Sequence, residues 1–472
     1  MRRILALLAT ASALSACSME SAYVRPASPV PATWPTGQAY PPQAAEPLPA
    51  IRYADVFADA RLQTLVGQAL ADNRDLRAAT ADILAARAQY RIQRADRFPK
   101  VNLTGRYVHA GADDDSAAPR SSNSYDADIG ITAFELDLFG RVRSLTGAAL
   151  QRYLATEEAA RATRLTLVAD VAEAWLTYAA DASLLRISEQ TAANAERSVT
   201  LTQARLQGGV APRTDLRQAQ TILATARGGV AVQRTAVAQD LNALQLLVGG
   251  PVDPSLLPGS IEEAASTFRQ LPAGVSSEVL LRRPDVAQAE HQLRAANAQV
   301  GAARAALFPT ISLTTTLGFA STALSDLFKN GSYGYTAGGG VSYPLFQAGA
   351  GRAGVAQAKA QREAAVADYE KAVQSAFRET ADALARQGTI ADQLAADQLQ
   401  LEAASDTYRL TDERYRGGDQ TFLASLDAQR SLYSAQRSLV ATQLVGAINR
   451  VALYRALGGD DTVGTAGATP PR

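Results

Sequence analysis

The sequence predicts a mainly α-helical protein with a smaller β component, in which one large structural unit occurs twice. Three observations lead to this fold class. Short motifs recur after about 209 residues, two long stretches lack proline, and four shorter stretches alternate apolar and polar residues. The repeat distance is far greater than the roughly 20–50 residues of solenoid repeats, so a single large unit has been duplicated.

The duplication appears as matching motifs at a nearly constant offset. The pairs, first and second copy, are Ala88-Gln89 and Ala298-Gln299, Phe98-Pro99 and Phe308-Pro309, Leu138-Phe139 and Leu345-Phe346, and the segments 205–209 and 414–418. Because the offset drifts by only a few residues, helices and loops keep their lengths in both copies. We expect a first structural repeat over 51–260, a second over 261–460, and a flexible C-terminal tail over 461–472.

The chain begins with a leader pattern and continues with a proline-rich stretch. Two arginines and a short apolar run predict a signal peptide over 1–16. Leu14-Ser15-Ala16-Cys17 resembles a bacterial lipobox, in which Cys17 is lipidated; the alternative is ordinary cleavage near Ala16, which leaves a free thiol. Eight prolines between positions 26 and 49 exclude a helix. We therefore expect a lipidated N-terminus and a Pro-rich tether over 17–50.

Long helices account for the proline-free stretches, which are rich in Ala, Arg, Gln, Glu and Leu. A helix from about Arg141 to Gln207 is roughly 100 Å long, a length typical of coiled coils. In the second copy, apolar residues three or four apart predict a similar stripe between Val355 and Leu384. The pairs Gly208-Gly209 and Gly417-Gly418 end these helices, and new helices are expected near Arg213 and Thr421. Each copy thus contains a helical hairpin whose tip is a Gly-Gly pair.

Four stretches with a period of two predict β-strands at about 98–110, 124–139, 308–320 and 333–346. Polar or Gly/Ser-rich turns join them into two hairpins. Strands of about 10 residues are long enough to cross an outer membrane. Two hairpins cannot close a barrel and open edges cannot face lipid, so an oligomer must supply further strands. The alternative is a soluble sheet packed on helices.

Composition argues against several functional classes. The 46 basic and 46 acidic residues give no net field for nucleic acid, and one Cys with two His makes a zinc site or a Cys–His nucleophile improbable. The sequence contains no phosphate-binding Gly-x-x-x-x-Gly-Lys-Ser/Thr loop. We expect no catalytic residues, no metal and no cofactor, and the residues therefore do not support an enzyme.

Four longer motifs carry a resemblance to a known family. They are Phe134-Glu135-Leu136-Asp137-Leu138-Phe139-Gly140-Arg141, Leu280-Leu281-Arg282-Arg283-Pro284-Asp285-Val286, the segment 302–309, and Leu426-Asp427-Ala428-Gln429-Arg430-Ser431-Leu432. The chain resembles the TolC-like outer membrane efflux proteins, most closely the OprM/NodT-type lipoprotein branch. The resemblance implies a homotrimer with a long coiled-coil barrel and a twelve-stranded transmembrane β-barrel, four strands per subunit. It also implies outer membrane lipid, a periplasmic adaptor and an inner-membrane pump, usually of the resistance-nodulation-division class, as partners.

The same resemblance places a periplasmic gate just after the second hairpin tip. Leu423 and Asp427 are one helical turn apart, and Arg430 follows three residues later, so these side chains can face the same way. The alternative is that Leu423 packs in a core and Asp427 pairs locally with Arg430. Gly208, Gly209, Gly417 and Gly418 are then the expected adaptor-docking tips, with simple turn chemistry as the alternative.

Three functions are compatible with these features. The first is the outer membrane channel of a tripartite efflux pump that exports drugs or other small molecules. The second is the exit duct of a type I protein secretion system, and the third, from a different class, is a non-conducting periplasmic coiled-coil adaptor. Four strands of membrane-crossing length favour a channel over an adaptor, and the lipobox favours efflux over protein secretion.

Overall fold

The computed structural model describes residues 19–42, 52–111, 121–270, 276–329 and 331–459. The described chain forms two compact units. The first contains the described residues within 19–27, 82–157 and 288–370, and the second contains those within 28–81, 158–287 and 371–459. Each unit therefore contains segments from both sequence repeats. Cys17, the predicted lipidation site, lies outside the described residues.

Nine α-helices and four strands are present in the described residues. In chain order they are α1 (Tyr53–Val56), α2 (Ala60–Asp72), α3 (Arg74–Ala95), β1 (Val101–Gly111), β2 (Ser121–Leu136), α4 (Arg141–Gln207), α5 (Arg213–Val248), α6 (Ile261–Ser266), α7 (Pro284–Ala305), β3 (Thr310–Ser321), β4 (Tyr333–Ser342), α8 (Ala350–Gly417) and α9 (Phe422–Ala456). The mainly helical fold with four strands is confirmed. None of the described helices is both long enough and apolar enough to cross a membrane.

The two repeats match in the lengths of their helices. Helices α3 and α7 both have 22 residues, α4 and α8 have 67 and 68, and α5 and α9 have 36 and 35. Helix α4 has the bounds that the sequence predicted. Strand β2 ends at Leu136 rather than near 139, because the Asp137 carboxylate caps α4 by accepting the amides of Val142 at 3.1 Å and Arg143 at 2.7 Å.

The strands form one antiparallel sheet in the order β1-β2-β3-β4, within the first unit. Directly paired residues lie on the same face of such a sheet. One row across all four strands is entirely apolar, since Leu103 pairs with Ile129, Ile129 with Leu317, and Leu317 with Tyr335. These four side chains are all exposed. The adjacent row, Thr104, Asp128, Gly318 and Gly334, lies on the opposite face and carries no large apolar side chain.

A β-bulge keeps the apolar face of β2 continuous. Strict alternation along β2 would put Ala133 on the same face as Ile129 and Ile131, but the register shifts between Ile131 and Phe134, and Ala133 has a positive φ of 55°. Beyond this point Phe134 pairs with Leu313, so even-numbered residues of β2 now share the apolar face. The extra residue changes the parity of the strand without breaking the apolar surface.

The first described residues of the predicted tether, 19–25, lie along α7; we call them the strap. The Glu290 carboxylate binds the Arg25 guanidinium at 2.9 and 3.0 Å and the Tyr23 hydroxyl at 3.2 Å. It also accepts a hydrogen bond from Arg294 at 2.7 Å. Burial alone would raise the pKa of Glu290, but the Arg25 hydrogen bond and the charges of both arginines outweigh it, so the pKa lies below its usual value.

The strap also contacts the C-terminal half of α7. Asn297 donates its side-chain amide to the Ser21 carbonyl at 2.9 Å, and Arg304 donates to the Ser21 hydroxyl at 2.8 Å. A Cβ atom at Gly301 would lie 2.8 Å from the Cβ of Glu20, a distance that real structures do not tolerate. Glycine at this position is what allows the strap to approach the helix.

The second unit has an aromatic core around the middle of the long helices. The Phe57 ring lies 5.2 Å from Phe268 and 5.4 Å from Tyr454, between ring centroids. Trp175 is fully buried and donates its indole N–H to the Leu256 carbonyl at 3.0 Å. Trp34, from the proline-rich segment, stacks on Phe377 at 4.9 Å and is buried in the same unit. Burial of these large rings stabilises the second unit, which contains the tips of both helical hairpins.

Candidate functional site

The first hairpin tip is a Schellman turn. The Val210 amide donates to the Arg205 carbonyl at 2.9 Å, and the Gly209 amide donates to the Leu206 carbonyl at 3.1 Å. Gly209 has a φ of 71°, in the left-handed region that glycine adopts without a Cβ penalty. The turn therefore requires Gly209, whereas Gly208 has no such constraint.

The second tip repeats this geometry. The Asp419 amide donates to the Arg414 carbonyl at 2.9 Å, and the Gly418 amide donates to the Tyr415 carbonyl at 3.1 Å. Gly418 has a φ of 92°, and Gly417 is the last residue of α8. Of each predicted Gly-Gly pair, the second glycine is the conformationally necessary one.

The chain restarts differently after the two tips. Helix α5 begins after Pro212, whose side chain makes no capping hydrogen bond. Helix α9 begins after Thr421, whose hydroxyl accepts a hydrogen bond from the Ala424 amide at 3.3 Å. The side chain of Thr421 therefore fixes the start of the helix that carries the predicted gate.

The first two turns of α9 have one buried and one exposed face. Phe422 and Leu426 are 6% and 4% exposed. The predicted gate residues are all on the other face, with Leu423 54% exposed and the side chains of Asp427 and Arg430 63% and 76% exposed. Leu423 is thus not a core residue within one chain. Asp427 and Arg430 do approach each other, at 3.8 Å, so the local ion pair of the alternative interpretation is also present.

A compact cluster joins the two tips within the second unit. Ala219, Tyr415, Phe422 and Leu426 are buried against one another. The Arg205 guanidinium stacks 4.5 Å from the centre of the Tyr415 ring and donates to the Tyr415 carbonyl at 2.8 Å. The Tyr415 carbonyl thus accepts a second hydrogen bond besides that from the Gly418 amide, and Arg205 fixes the first tip to the second. Sequence reasoning noted Arg205 only as part of a repeat motif and did not identify this role.

A pair of carboxyl groups lies on the first hairpin, farther along the helices. Asp181 of α4 and Asp240 of α5 share a hydrogen bond, and burial followed by that hydrogen bond raises the pKa of Asp240 to about 7. The Asp240 Oδ2 atom is buried and has no hydrogen-bond partner in the described structure. Asp240 therefore holds its proton to a higher pH than an exposed aspartate does.

No group of three or more His, Cys, Asp or Glu side chains in the described parts of the chain is arranged to hold a metal ion. Near the second tip, the Asp412 carboxylate is paired with the Arg416 guanidinium at 2.7 Å. The site thus consists of two glycine turns, an exposed row on α9 and a buried cluster beneath it.

Comparison with known proteins identifies the family. The model of the outer membrane efflux protein family matches this chain twice, over residues 65–250 and 275–459. The antibiotic efflux pump outer membrane protein ArpC and the toluene efflux pump outer membrane protein TtgC, both of Pseudomonas putida, are each 42% identical over 464 residues, covering 97% of this chain and 96% of the relative.

A solved structure has the same fold. The open state of the MtrE outer membrane channel of Neisseria gonorrhoeae is 34% identical, with a TM-score of 0.83 over 94% of this chain and 98% of that one. The predicted resemblance is therefore confirmed. With two family matches, relatives of nearly full length and a shared fold, this chain belongs to the outer membrane efflux protein family.

Proposed function

We propose that this outer membrane efflux protein is the exit duct of a tripartite pump, through which small molecules leave the periplasm passively. It would work as a homotrimer with a periplasmic adaptor and an inner-membrane pump. The observation that carries the proposal is the four-stranded sheet, one face of which exposes Leu103, Ile129, Leu317 and Tyr335. Such a surface suits lipid rather than water.

The free edges of the sheet support the trimer. Among the described strands, β1 pairs only with β2 and β4 only with β3, so one edge of each is unpaired. Unpaired backbone groups are costly in a bilayer, and pairing β4 of one copy with β1 of the next removes every edge. Three copies then give a closed barrel of twelve strands. Chemical crosslinking of the detergent-purified protein should yield trimers; monomers alone would contradict this arrangement.

The exposed row Leu423, Asp427 and Arg430 is the proposed periplasmic gate. In a trimer each position becomes a ring of three side chains. A leucine ring restricts wetting of a pore, and an acidic ring attracts cations. The short Thr421-capped turn holds the row at a fixed distance from the second tip. Asp427 would exchange its weak contact with Arg430 for contacts with neighbouring subunits when the gate closes.

Single-channel recording tests the gate. The double variant Leu423→Ala with Asp427→Ala should raise the conductance of the reconstituted protein, because it removes both rings. The matched control is Leu399→Ala with Asp406→Ala on α8, which also removes one exposed leucine and one exposed aspartate. Conductance that stays at the wild-type value in the gate variant, or rises equally in the control, would refute the assignment.

The two glycine turns are the proposed adaptor-docking tips. Val210 is 77% exposed, and Asp419 follows the equivalent turn of the second hairpin. Cysteines at these two positions should crosslink to a co-expressed adaptor, whereas a cysteine at the exposed Val232, about 30 Å along α5 from the turn, should not. Equal crosslinking at all three positions would argue against docking through the tips.

The substrate range is proposed to depend on the pump rather than on the duct. Two relatives with the same identity to this chain are named for antibiotics and for toluene. A wide conduit without a shaped pocket in its path cannot easily distinguish such compounds. We expect export of small apolar or amphiphilic compounds, with selectivity that follows the pump when pumps are exchanged.

Lipid anchoring through Cys17 completes the proposal. Several acyl chains together hold a protein firmly at a membrane. Intact-mass spectrometry of the mature protein should show an acylated N-terminal cysteine and loss of residues 1–16. A Cys17→Ala variant should lack this mass increment, and an unmodified wild-type Cys17 would contradict the anchor.

A further inference from the structure

The second unit contains a cavity between the first helical hairpin and α9. Its volume is about 360 Å3, within the roughly 300–1,000 Å3 typical of ligand sites. Helix α5 contributes a small-residue wall at Ala226 and Gly229, and Ile222 and Leu426 make the cavity partly apolar. A Cβ atom at Gly229 would meet nothing within 4 Å, so the space beside this glycine is open.

The charge of the lining has one sign. Arg430 and Arg437 of α9 both border the cavity, and no Asp or Glu does so among the described residues. The Arg437 guanidinium also lies 5.6 Å from the centre of the Tyr433 ring. Ser188, which hydrogen bonds to the Tyr433 hydroxyl at 3.5 Å, adds a further polar group. The cavity therefore combines an apolar wall with a positive rim.

A buried donor without a partner also lines the cavity. Gln429 is 9% exposed, and its side-chain Nε2 is buried with no hydrogen-bond partner in the described structure. A buried N–H group is stable only when it meets an acceptor. No described group accepts a hydrogen bond from this amide, so a molecule in the cavity that carries an acceptor would supply the missing partner.

We propose that this cavity binds a small organic carboxylate with an apolar body. The carboxylate would accept hydrogen bonds from the Gln429 amide and from the guanidinium groups of Arg430 and Arg437. The apolar body would lie against Ile222 and Leu426 in the space beside Gly229. Arginine is suited to this role because its planar fork matches a carboxylate. Arg430 also belongs to the proposed gate, so the test is a binding measurement on the purified full chain rather than a conductance measurement.

Equilibrium dialysis with naphthoate tests the proposal. Naphthoate should bind, and the neutral naphthamide, of the same size and shape, should bind about tenfold more weakly because it lacks the charge. Gly229→Leu should abolish naphthoate binding by filling the cavity. Gly228→Leu is the matched control, since Gly228 is the adjacent helical glycine, also has open space around its Cβ position, and does not line the cavity; it should bind as the wild type does.

A second variant distinguishes loss of the binding site from misfolding. Arg437→Gln should weaken naphthoate binding about tenfold and leave naphthamide binding unchanged, because it removes charge without filling space. Thermal unfolding compares the fold of each variant with the wild type. Absence of naphthoate binding to the wild type, equal binding by Gly228→Leu and Gly229→Leu, or equal affinity for the acid and the amide would each overturn the proposal.

Discussion

Helices α3 and α7 are equivalent parts of the two repeats, yet their surroundings differ completely. Both have 22 residues, and aligning their first residues pairs Thr80 with Glu290 and Arg91 with Gly301. No residue of α3 is buried, whereas α7 carries a buried Glu290 and lies under the strap. The two copies therefore keep a helix of the same length, and a few residue differences allow α7 alone to bind the strap.

In a duplicated chain, residues shared by the two copies and residues that differ between them have different roles. Residues shared by both copies, such as the glycines of the two tips, maintain the geometry of the hairpins. Residues that differ at equivalent positions mark contacts that only one copy makes. Glu290 and Gly301 do so for the strap, and Leu423 and Asp427 do so for the proposed gate.

The largest effect is expected from exchanging the residues that distinguish α7 from α3. Gly301→Arg places the residue of α3 under the strap and displaces it, because even a Cβ atom there would collide with Glu20. Loss of the Asn297 and Arg304 hydrogen bonds should lower the free energy of local opening of the strap by about 1–3 kcal/mol. Hydrogen exchange in residues 19–25 should then be about tenfold to a hundredfold faster.

The reciprocal exchange is the control for this prediction. Arg91→Gly in α3 should cost about 1 kcal/mol of helix stability and leave exchange in the strap unchanged. Unaltered protection of residues 19–25 in Gly301→Arg would mean that the strap does not depend on close approach to α7.

A smaller effect is expected from the carboxyl pair of the first hairpin. At the equivalent place in α9, offset by 209 residues, Asp240 is replaced by Asn449, which donates to the Ala383 carbonyl at 2.9 Å. In the folded protein the pKa of Asp240 is about 7, above its unfolded value of about 3.9. The folded state therefore retains the proton longer, and stability falls as pH rises from about 4 to about 7.

Asp240→Asn should remove this pH dependence. Because the pair is partly open to solvent, we expect a gain of about 1–2 kcal/mol at pH 8, measured by thermal unfolding. At pH 4 the variant and the wild type should be equally stable. Asp181→Asn should reduce the same slope only in part, because burial, the larger cause of the raised Asp240 pKa, remains. A wild-type slope in Asp240→Asn would exclude protonation of Asp240 as its source.

The smallest effect concerns the glycines that the copies have in common. Gly209→Ala should destabilise the first tip by about 1 kcal/mol, because alanine is unfavourable at positive φ. Gly208→Ala should destabilise the first tip less. At the second tip, Gly418→Ala should be more destabilising than Gly417→Ala. Hydrogen exchange at each turn measures the difference; equal costs within a pair would contradict the assignment of the second glycine as the required residue.

Much of the fold was predictable because its signals are periodic and local. Proline-free, helix-favouring sequence predicted α4 from Arg141 to Gln207, and alternation predicted four strands. The repeat strengthened each assignment, since a Gly-Gly pair alone is weak and two at equivalent positions are not. Helical spacing also predicted that Leu423, Asp427 and Arg430 can face the same way, whereas their choice as a gate came from the family resemblance and their exposure from the structure.

The remaining features depend on contacts between residues distant in sequence. Nothing local indicates that Arg205 stacks on Tyr415, or that Glu290 binds Arg25 across 265 positions. An alternation pattern does not predict the bulge at Ala133. The single extra residue moves every later side chain of β2 to the opposite face from the one that strict alternation gives. Partial burial of Asp240 likewise depends on the helix beside it.

The near-equal lengths of α4 and α8 also restrict how such a chain can evolve. With 67 and 68 residues, the two arms differ by one residue, or about 1.5 Å of rise. An insertion of seven residues in one arm alone would extend its tip by about 10.5 Å and separate Arg205 from Tyr415. Changes in reach must therefore occur in both copies together, so that descendants of this gene are expected to lengthen or shorten by paired, equal steps.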